Sequence, residues 1–139
     1  MGSIARLNFS DIVAARNFFA SDKFATELVG ASIDELSENA SACSFAISQN
    51  HRNAMGQLMG GAVLALADFA FAVATNCDHC HTVTVSINVD FLESCKGERI
   101  IARTKPIKIG GSMVFYDVDV EDDLGNLIAK ASVVGKRLG

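Results

Sequence analysis

The spacing of hydrophobic residues changes along the chain, and the change separates a predicted helix from a predicted strand. Residues 60–75 are apolar at nearly every position, rich in Ala and free of Pro, so they predict a helix buried on all sides. Residues 82–92 instead alternate apolar and polar side chains, which predicts a strand with one buried face and one polar face. The predicted buried face holds Val83, Val85, Ile87, Val89 and Phe91.

Weaker patterns predict the remaining elements. Residues 10–28 have a helical spacing that Ser10 can cap, and residues 31–48 predict two strands around a turn at residues 37–39. Pro106 cannot donate to a neighbouring strand and predicts an edge or a bulge. Three strand-like segments cover residues 98–109, 112–122 and 126–138, with a hairpin turn at Gly125. One long helix against an antiparallel sheet of five or six strands is an α+β fold.

Length and composition restrict the class of protein. The 139 residues predict a single domain, 1–139, in which residues 1–28 form an N-terminal helical segment. Half of the residues are hydrophobic, whereas the net charge of -4, the single Tyr and the absence of Trp argue against a nucleic-acid partner. We find no secretory signal and no apolar run of the roughly 20 residues that span a membrane. We therefore expect a cytoplasmic protein with no membrane partner and with reduced cysteines.

Asp68 is the one ionisable residue in the predicted buried helix. An ionised carboxylate in an apolar segment costs several kcal/mol, on the order of 3 or more, unless it is paired or hydrogen-bonded. Two interpretations follow from the residues alone. Asp68 is either a structural carboxylate satisfied by nearby donors or a reactive group held in a site.

The segment HRNAMGQLMGGAVLALADFAFAVATN, followed by TVTVSINVDFL, resembles the hotdog-fold acyl-CoA thioesterases of the phenylacetic-acid-degradation (PaaI-like) type. The resemblance covers most of the chain after the first helix, and it implies a hotdog fold in which one long central helix is wrapped by the sheet. Met59 departs from the pattern, because the family commonly has His there. The matching positions are Asn53, Gly56, Gly60, Gly61, Leu66, Ala67 and Asp68.

The resemblance implies hydrolysis of an acyl-CoA thioester to a free acid and coenzyme A, without a cofactor or metal. By resemblance, the Gly60 N–H and the Asn53 amide bind the developing oxyanion, and a helix start suits that task because its N–H groups lack intrahelical partners. Asp68 attacks the thioester or acts as the general base for water. We expect Thr84 to hold Asp68 in place, with Ser86 on the same face of the strand as the fallback. His51 is expected to shape the loop before the helix.

Helix geometry predicts the assembly. Gly60 and Asp68 are eight residues apart, which separates them by roughly 12 Å along a helix at about 1.5 Å per residue. One carbonyl cannot contact both, so if both groups act on one thioester they must come from two subunits. The resemblance implies sites at such a dimer interface, so catalysis predicts an obligate homodimer with two sites, and we expect a homotetramer built from two dimers.

Coenzyme A carries phosphates, so this acidic chain needs a local basic surface. Arg103, Lys105 and Lys108 are the densest basic cluster and the predicted contacts, followed by Lys136 and Arg137. Gly61 and Met59, beside the predicted oxyanion donor, are expected to contact the substrate.

Other interpretations remain open. Cys77, Cys80 and His81 form a C-x-x-C-H motif, which is typical of haem attachment or of part of a zinc site, although we favour an exposed loop. A hotdog dehydratase or hydratase usually needs a His in its acid–base pair, and the helix has none. A non-catalytic acyl-CoA binding protein is compatible with Met59.

Overall fold

The computed structural model describes residues 11–77 and 81–138. Within those ranges the chain forms α helices, strands, a π-helical turn and a 3-10 turn, and no helix is long and apolar enough to cross a membrane. The elements in order are α1 (Ile12–Phe19), the π-helical turn (Phe24–Val29), β1 (Ser32–Ser37), β2 (Ala40–Ala46), the 3-10 turn (Gln49–His51), α2 (Gly60–Asn76), β3 (Thr82–Phe91), β4 (Arg99–Ile109), β5 (Met113–Asp122) and β6 (Leu127–Arg137).

The six strands form one antiparallel sheet in the order β1-β2-β4-β5-β6-β3, and α2 packs across one face of it. The Phe71 ring of α2 meets the Tyr116 ring of β5 edge-on at 5.3 Å, and the Ser41 hydroxyl of β2 donates to the Ala70 carbonyl at 2.7 Å. The predicted α+β fold is therefore confirmed, and its core lies between the central helix and the sheet.

The predicted turns and the bulge at Pro106 are present. Asn39 and Gly125 have left-handed φ angles of 59° and 88°, as tight hairpin turns require. The pairing of β4 with β5 shifts register between Pro106 and Lys108. The pairing of β2 with β4 ends at Arg103, so the missing N–H of Pro106 faces no strand on that side.

The N-terminal helical segment is broken in two, which differs from the single predicted helix. Helix α1 ends at Phe19, and the π-helical turn starts at Phe24. Ser21 and Asp22 lie in the break, and such side chains favour turns over helix interiors. The predicted cap Ser10 lies outside the described residues, and the Asp11 side chain accepts the Ala14 N–H at 2.9 Å instead.

Strand β3 does not present the predicted faces. A bulge between Thr84 and Ser86 inserts one extra residue against β6, so the alternation of faces reverses at that point. Thr82 is buried, whereas Val83 and Val85 are 39% and 57% exposed. The apolar residues face the helix only after the bulge, since Ile87, Val89 and Phe91 pair with the buried Val133, Ala131 and Ala129.

Helix α2 is not enclosed on all sides in the single chain, so that prediction is wrong for the isolated subunit. Most of its surface is buried, but a stripe of small and apolar residues around Asp68 remains partly or fully exposed. The spacing of three and four residues places them on one helix face. We call this face the α2 stripe, and it consists of Gly61, Leu64, Ala65, Asp68 and Ala72.

Candidate active site

Helix α2 begins with two N–H groups that have no acceptor among the described residues. Met59 is the N-cap residue and makes no side-chain cap, while its carbonyl accepts from the Ala62 N–H at 3.0 Å. Neither Gly60 nor Gly61 donates a backbone hydrogen bond within residues 11–77 and 81–138. The helix dipole places partial positive charge at the same point, so the start of α2 is suited to bind a carbonyl oxygen that becomes negative.

His51 fixes the loop that leads into α2. Its Nδ1 accepts the Ser48 N–H at 2.9 Å, and its Nε2 donates to the Val29 carbonyl at 2.6 Å. The ring stacks on Phe45 with centroids 4.1 Å apart, and the His51 carbonyl accepts the Met59 N–H at 2.8 Å. Both ring nitrogens are therefore occupied, in agreement with the positional role predicted for this residue.

Asn53 is held with one polar end available. Its Oδ1 accepts the N–H groups of Met55 and Gln57 at 3.0 and 3.1 Å, which orients the side-chain amide. Its NH2 group donates to no described residue, and the side chain is exposed. Gly56 completes the turn with a φ of 81°. The loop thus leaves the donor end of Asn53 available to a ligand.

A cleft of about 450 Å³ opens beside the start of α2. Its walls come from the helix, from the end of β3 and the segment after it, and from β6. Glu93 is the one formal charge among the described lining residues, and burial raises the pKa of the Cys95 thiol, which keeps that thiol neutral. The lining residues are Gln57, Leu58, Gly60, Val63, Phe91, Leu92, Glu93, Ser94, Cys95 and Ile128.

Sequence reasoning missed this cleft. Phe91 was expected only as a buried strand residue, and the segment after it carries no motif. Thr84 and Phe91 are seven residues apart, and the bulge between them places the Phe91 ring at the helix start. The alternation of apolar and polar residues in this strand gives no signal of the bulge.

Asp68 is held by Thr84, the expected partner. The Thr84 hydroxyl donates to Asp68 Oδ1 at 2.8 Å, and no other described residue donates to this carboxylate. Asp68 lies on the α2 stripe, partly exposed, and does not line the cleft. Ser86 does not serve as the fallback, because the bulge pairs it with Val134 on the face of the sheet away from Thr84.

The predicted basic residues lie apart from the cleft, and none of them is among its described lining residues. Arg103 donates to Glu35 at 2.9 Å, and this exposed ion pair lies on the sheet face opposite the buried Ala102 and Thr104. Lys105 and Lys108 are exposed along the second half of β4. Lys136 and Arg137 lie at the end of β6, opposite Val83 and Thr82 of β3.

The remaining features that the sequence singled out are Met59, Gly61 and the C-x-x-C-H motif. Met59 is 54% exposed, and a Cβ placed on Gly61 would contact nothing within 4 Å. In the C-x-x-C-H motif, Cys77 is buried and His81 is exposed, whereas Cys80 lies outside the described residues. Among residues 11–77 and 81–138, no three His, Cys, Asp or Glu side chains are close enough together to hold a metal ion.

Comparisons with known proteins match this chain to one family. The family model of the thioesterase superfamily matches residues 55–129. Human acyl-coenzyme A thioesterase 13 is 30% identical over 92 residues, which cover 63% of this chain and 66% of the human protein, just under two thirds of its length.

Solved structures share the whole fold. The PaaI protein from the phenylacetic acid degradation operon of E. coli superposes with a TM-score of 0.80 over 93% of this chain and 97% of that chain, at 19% identity. A mutant of the phenylacetic acid degradation protein PaaI from Thermus thermophilus gives a TM-score of 0.76 at 26% identity, over 81% of this chain and 97% of that chain.

Proposed function

Because the chain belongs to the thioesterase superfamily, we propose that it hydrolyses an acyl-CoA thioester to a free acid and coenzyme A. The similarity to human acyl-coenzyme A thioesterase 13 supports acyl-CoA as the substrate class. The observation that carries the proposal is the hydrogen bond from Thr84 to Asp68, at 2.8 Å, on the helix whose first N–H groups have no acceptor among the described residues. The chain thus supplies an oriented carboxylate and an oxyanion site.

The oxyanion site is the start of α2. The thioester oxygen accepts the Gly60 N–H and the NH2 group of Asn53, both of which lack acceptors within the described residues. Both donors are fixed before the substrate binds, by the His51 contacts and by the two hydrogen bonds to Asn53 Oδ1. Donors fixed in advance stabilise developing charge without reorganising during the reaction.

Asp68 activates the attack. As general base it accepts a proton from a water molecule, whose oxygen bonds to the thioester carbon and gives a tetrahedral oxyanion. Collapse of this intermediate breaks the C–S bond, and the proton on Asp68 passes to the departing thiolate. As nucleophile, Asp68 would instead form an acyl anhydride that water then hydrolyses. Thr84 occupies Oδ1 in either case, so Oδ2 is the oxygen available to react.

The two parts of the site come from two subunits in this proposal. Eight residues separate Gly60 from Asp68, so about 12 Å of helix lies between them. The α2 stripe is a mostly apolar surface around Asp68 on which an antiparallel copy of the same helix can pack. Strand β3 is an edge of the sheet and offers unpaired backbone groups to a second β3. A symmetric dimer would therefore place each Asp68 near the partner's oxyanion donors.

We also propose that two dimers form a tetramer. The exposed apolar residues Val83, Val85 and Phe115 support it, because they belong to the sheet surface away from α2 that a dimer through the stripe leaves uncovered. Chromatography with light scattering at micromolar concentration should give the mass of four chains. A stable monomer would contradict both assembly proposals.

The first experiment measures thiol release from short-chain, medium-chain and phenylacetyl-CoA by the wild type and by Asp68→Asn. The isostere keeps the volume and the Thr84 contact while it removes the base. We expect turnover by the wild type and a fall of at least about a hundredfold in the variant. Tight binding without turnover would instead favour the non-catalytic acyl-CoA binder that Met59 permits.

A second experiment tests the shared site by mixing inactive subunits. Asp68→Asn removes one half of each site and Asn53→Ala removes part of the other half. Refolding the two variants together would form heterodimers with one site free of both substitutions and one site with both. Recovery of roughly a quarter of wild-type activity is expected for random pairing, with each variant refolded alone as the control. No recovery in a mixed dimer of confirmed composition would place both groups in one subunit.

A further inference from the structure

The ring of Phe91 lies directly over the first residue of α2. A Cβ placed on Gly60 would come within 2.9 Å of Phe91 Cζ and 3.3 Å of Cε1, so only a glycine fits under the ring where it now lies. Phe91 is nevertheless 58% exposed, and the rest of the ring forms part of the cleft wall. The proposed oxyanion donor and this ring are therefore neighbours at the mouth of the cleft.

The bulge in β3 is what brings Phe91 to this place. Thr84 and Phe91 are seven residues apart, and in a regular strand two residues at an odd separation point to opposite faces. The extra residue between Thr84 and Ser86 restores them to the same face, so Thr84 reaches Asp68 and Phe91 reaches Gly60. One strand thus contacts both halves of the proposed site.

The cleft is suited to the acyl group better than to the nucleotide. Its walls beside Phe91 are the apolar side chains of Val63, Leu92 and Ile128, and the one formal charge among its described lining residues is the negative Glu93. Phosphates would be repelled by Glu93, and no basic residue of the described chain lines the cleft. A volume of about 450 Å³ lies within the range of small-molecule sites.

From this geometry we propose that Phe91 determines acyl selectivity. The inference rests on the proposed function: a thioester whose carbonyl binds at the Gly60 N–H must run its acyl group along the Phe91 ring into the cleft. The ring limits the width of that path. A smaller side chain at position 91 opens the path to bulkier or longer acyl groups and removes contacts with short ones.

The test compares kcat/KM for a series of acyl-CoA esters, from acetyl to long-chain and including phenylacetyl, in the wild type, Phe91→Ala and Phe91→Leu. We expect the ratio of long-chain to short-chain kcat/KM to rise by at least about tenfold in Phe91→Ala, with Phe91→Leu between the two, because one methylene in an apolar pocket changes selectivity by about that factor. Phe24→Ala is the matched control, since Phe24 is 61% exposed in the π-helical turn and its truncation should leave the ratio unchanged.

Further measurements keep the outcome interpretable. Dissociation constants of non-hydrolysable thioether analogues of the same series test selectivity even if the wild type turns nothing over, a result that would count against hydrolysis and not against Phe91. The Leu variant keeps an apolar side chain over Gly60 if the Ala variant fails to fold or to dimerise. Equal selectivity of all folded variants, in turnover and in binding, would overturn the role of Phe91.

Discussion

Asp68 and Asp122 are both aspartates beside the packed core, yet they differ in burial and in the number of hydrogen bonds that their carboxylates accept. Asp122 ends β5, is 1% exposed, and accepts hydrogen bonds from the N–H groups of Lys96, Gly97, Leu124 and Asn126 and from the Asn126 side chain, at 2.9 to 3.2 Å. Asp68 is partly exposed and accepts from Thr84 alone among the described residues.

The pKa of Asp122 shows what its hydrogen bonds do. Burial raises this pKa, but the bonds from the side chain of Asn126 and from the backbone of Asn126, Lys96 and Leu124 outweigh it and hold the pKa at about 2. Every donor stabilises the ionised form. Because these hydrogen bonds occupy both carboxylate oxygens, no lone pair is left for a substrate. A saturated carboxylate builds structure, whereas one with a free oxygen on an exposed helix face can react.

The two carboxylates also have different targets. Asp122 holds Lys96 and Gly97, which follow directly after the cleft-lining Glu93, Ser94 and Cys95. It therefore holds the backbone next to that segment in place. In the proposed mechanism Asp68 acts through its own free oxygen, since Thr84 occupies only Oδ1.

The largest expected effect on stability is that of Asp122→Asn. In the variant, an NH2 group replaces one of the two carboxylate oxygens and faces N–H donors, so several buried donors lose their acceptor. We expect a loss of about 2 kcal/mol or more in the free energy of unfolding, measured by urea denaturation at pH 7. The kcat of the folded variant should change less than about threefold. An unchanged unfolding midpoint would show that the hydrogen-bond set does not stabilise the fold.

The stabilisation that the ionised Asp122 carboxylate gives to the folded state should disappear in acid. The folded-state pKa of about 2 lies below the ordinary value of 3.8, so the ionised carboxylate favours the folded state. Its contribution is complete above about pH 5 and is lost as the pH falls through 3.8 towards 2. We expect the difference between the unfolding midpoints of wild type and Asp122→Asn to shrink over this window. A constant difference down to pH 2 would contradict the assignment.

A smaller effect is expected for Thr84→Val. This change keeps the shape and removes the hydroxyl that orients Asp68, so kcat should fall by about three- to tenfold, or about 0.7 to 1.4 kcal/mol. Thr84→Ser retains a donor and should recover most of the activity. Ser86→Ala, on the other face of the strand, is the matched control. An equal loss of kcat in that variant would contradict the bulge that turns Ser86 away from Asp68.

The smallest expected effect is that of Asp68→Asn on stability. The side chain is partly exposed and has one hydrogen bond from a described residue, which an amide oxygen can still accept. The unfolding free energy should change by no more than about 0.5 kcal/mol, in contrast to the loss of turnover. A destabilisation as large as that of Asp122→Asn would make Asp68 a structural carboxylate after all.

The main elements follow from the amino-acid sequence alone, because hydrophobic spacing is a local property. The apolar run predicted α2 to within one residue of its observed end at Asn76, and the period-two segments predicted the strands and the hairpin turn at Gly125. The contact of Thr84 with Asp68 was also predicted, because Asp68 is the one ionisable residue of its segment and the family resemblance places Thr84 beside it. The catalytic roles of these residues stay predictions.

Which residues share a face depends instead on contacts between segments that are distant in the sequence. The alternation of β3 continues unbroken through Val83, Val85 and Ile87, yet its register with β6 inserts a bulge that turns Ser86 away from Asp68 and places Phe91 over Gly60. The exposed α2 stripe, the cleft, and the pairing of Arg103 with Glu35 likewise depend on segments distant in sequence. A strand's register is fixed by the strand beside it, so the alternation of a single strand cannot reveal it.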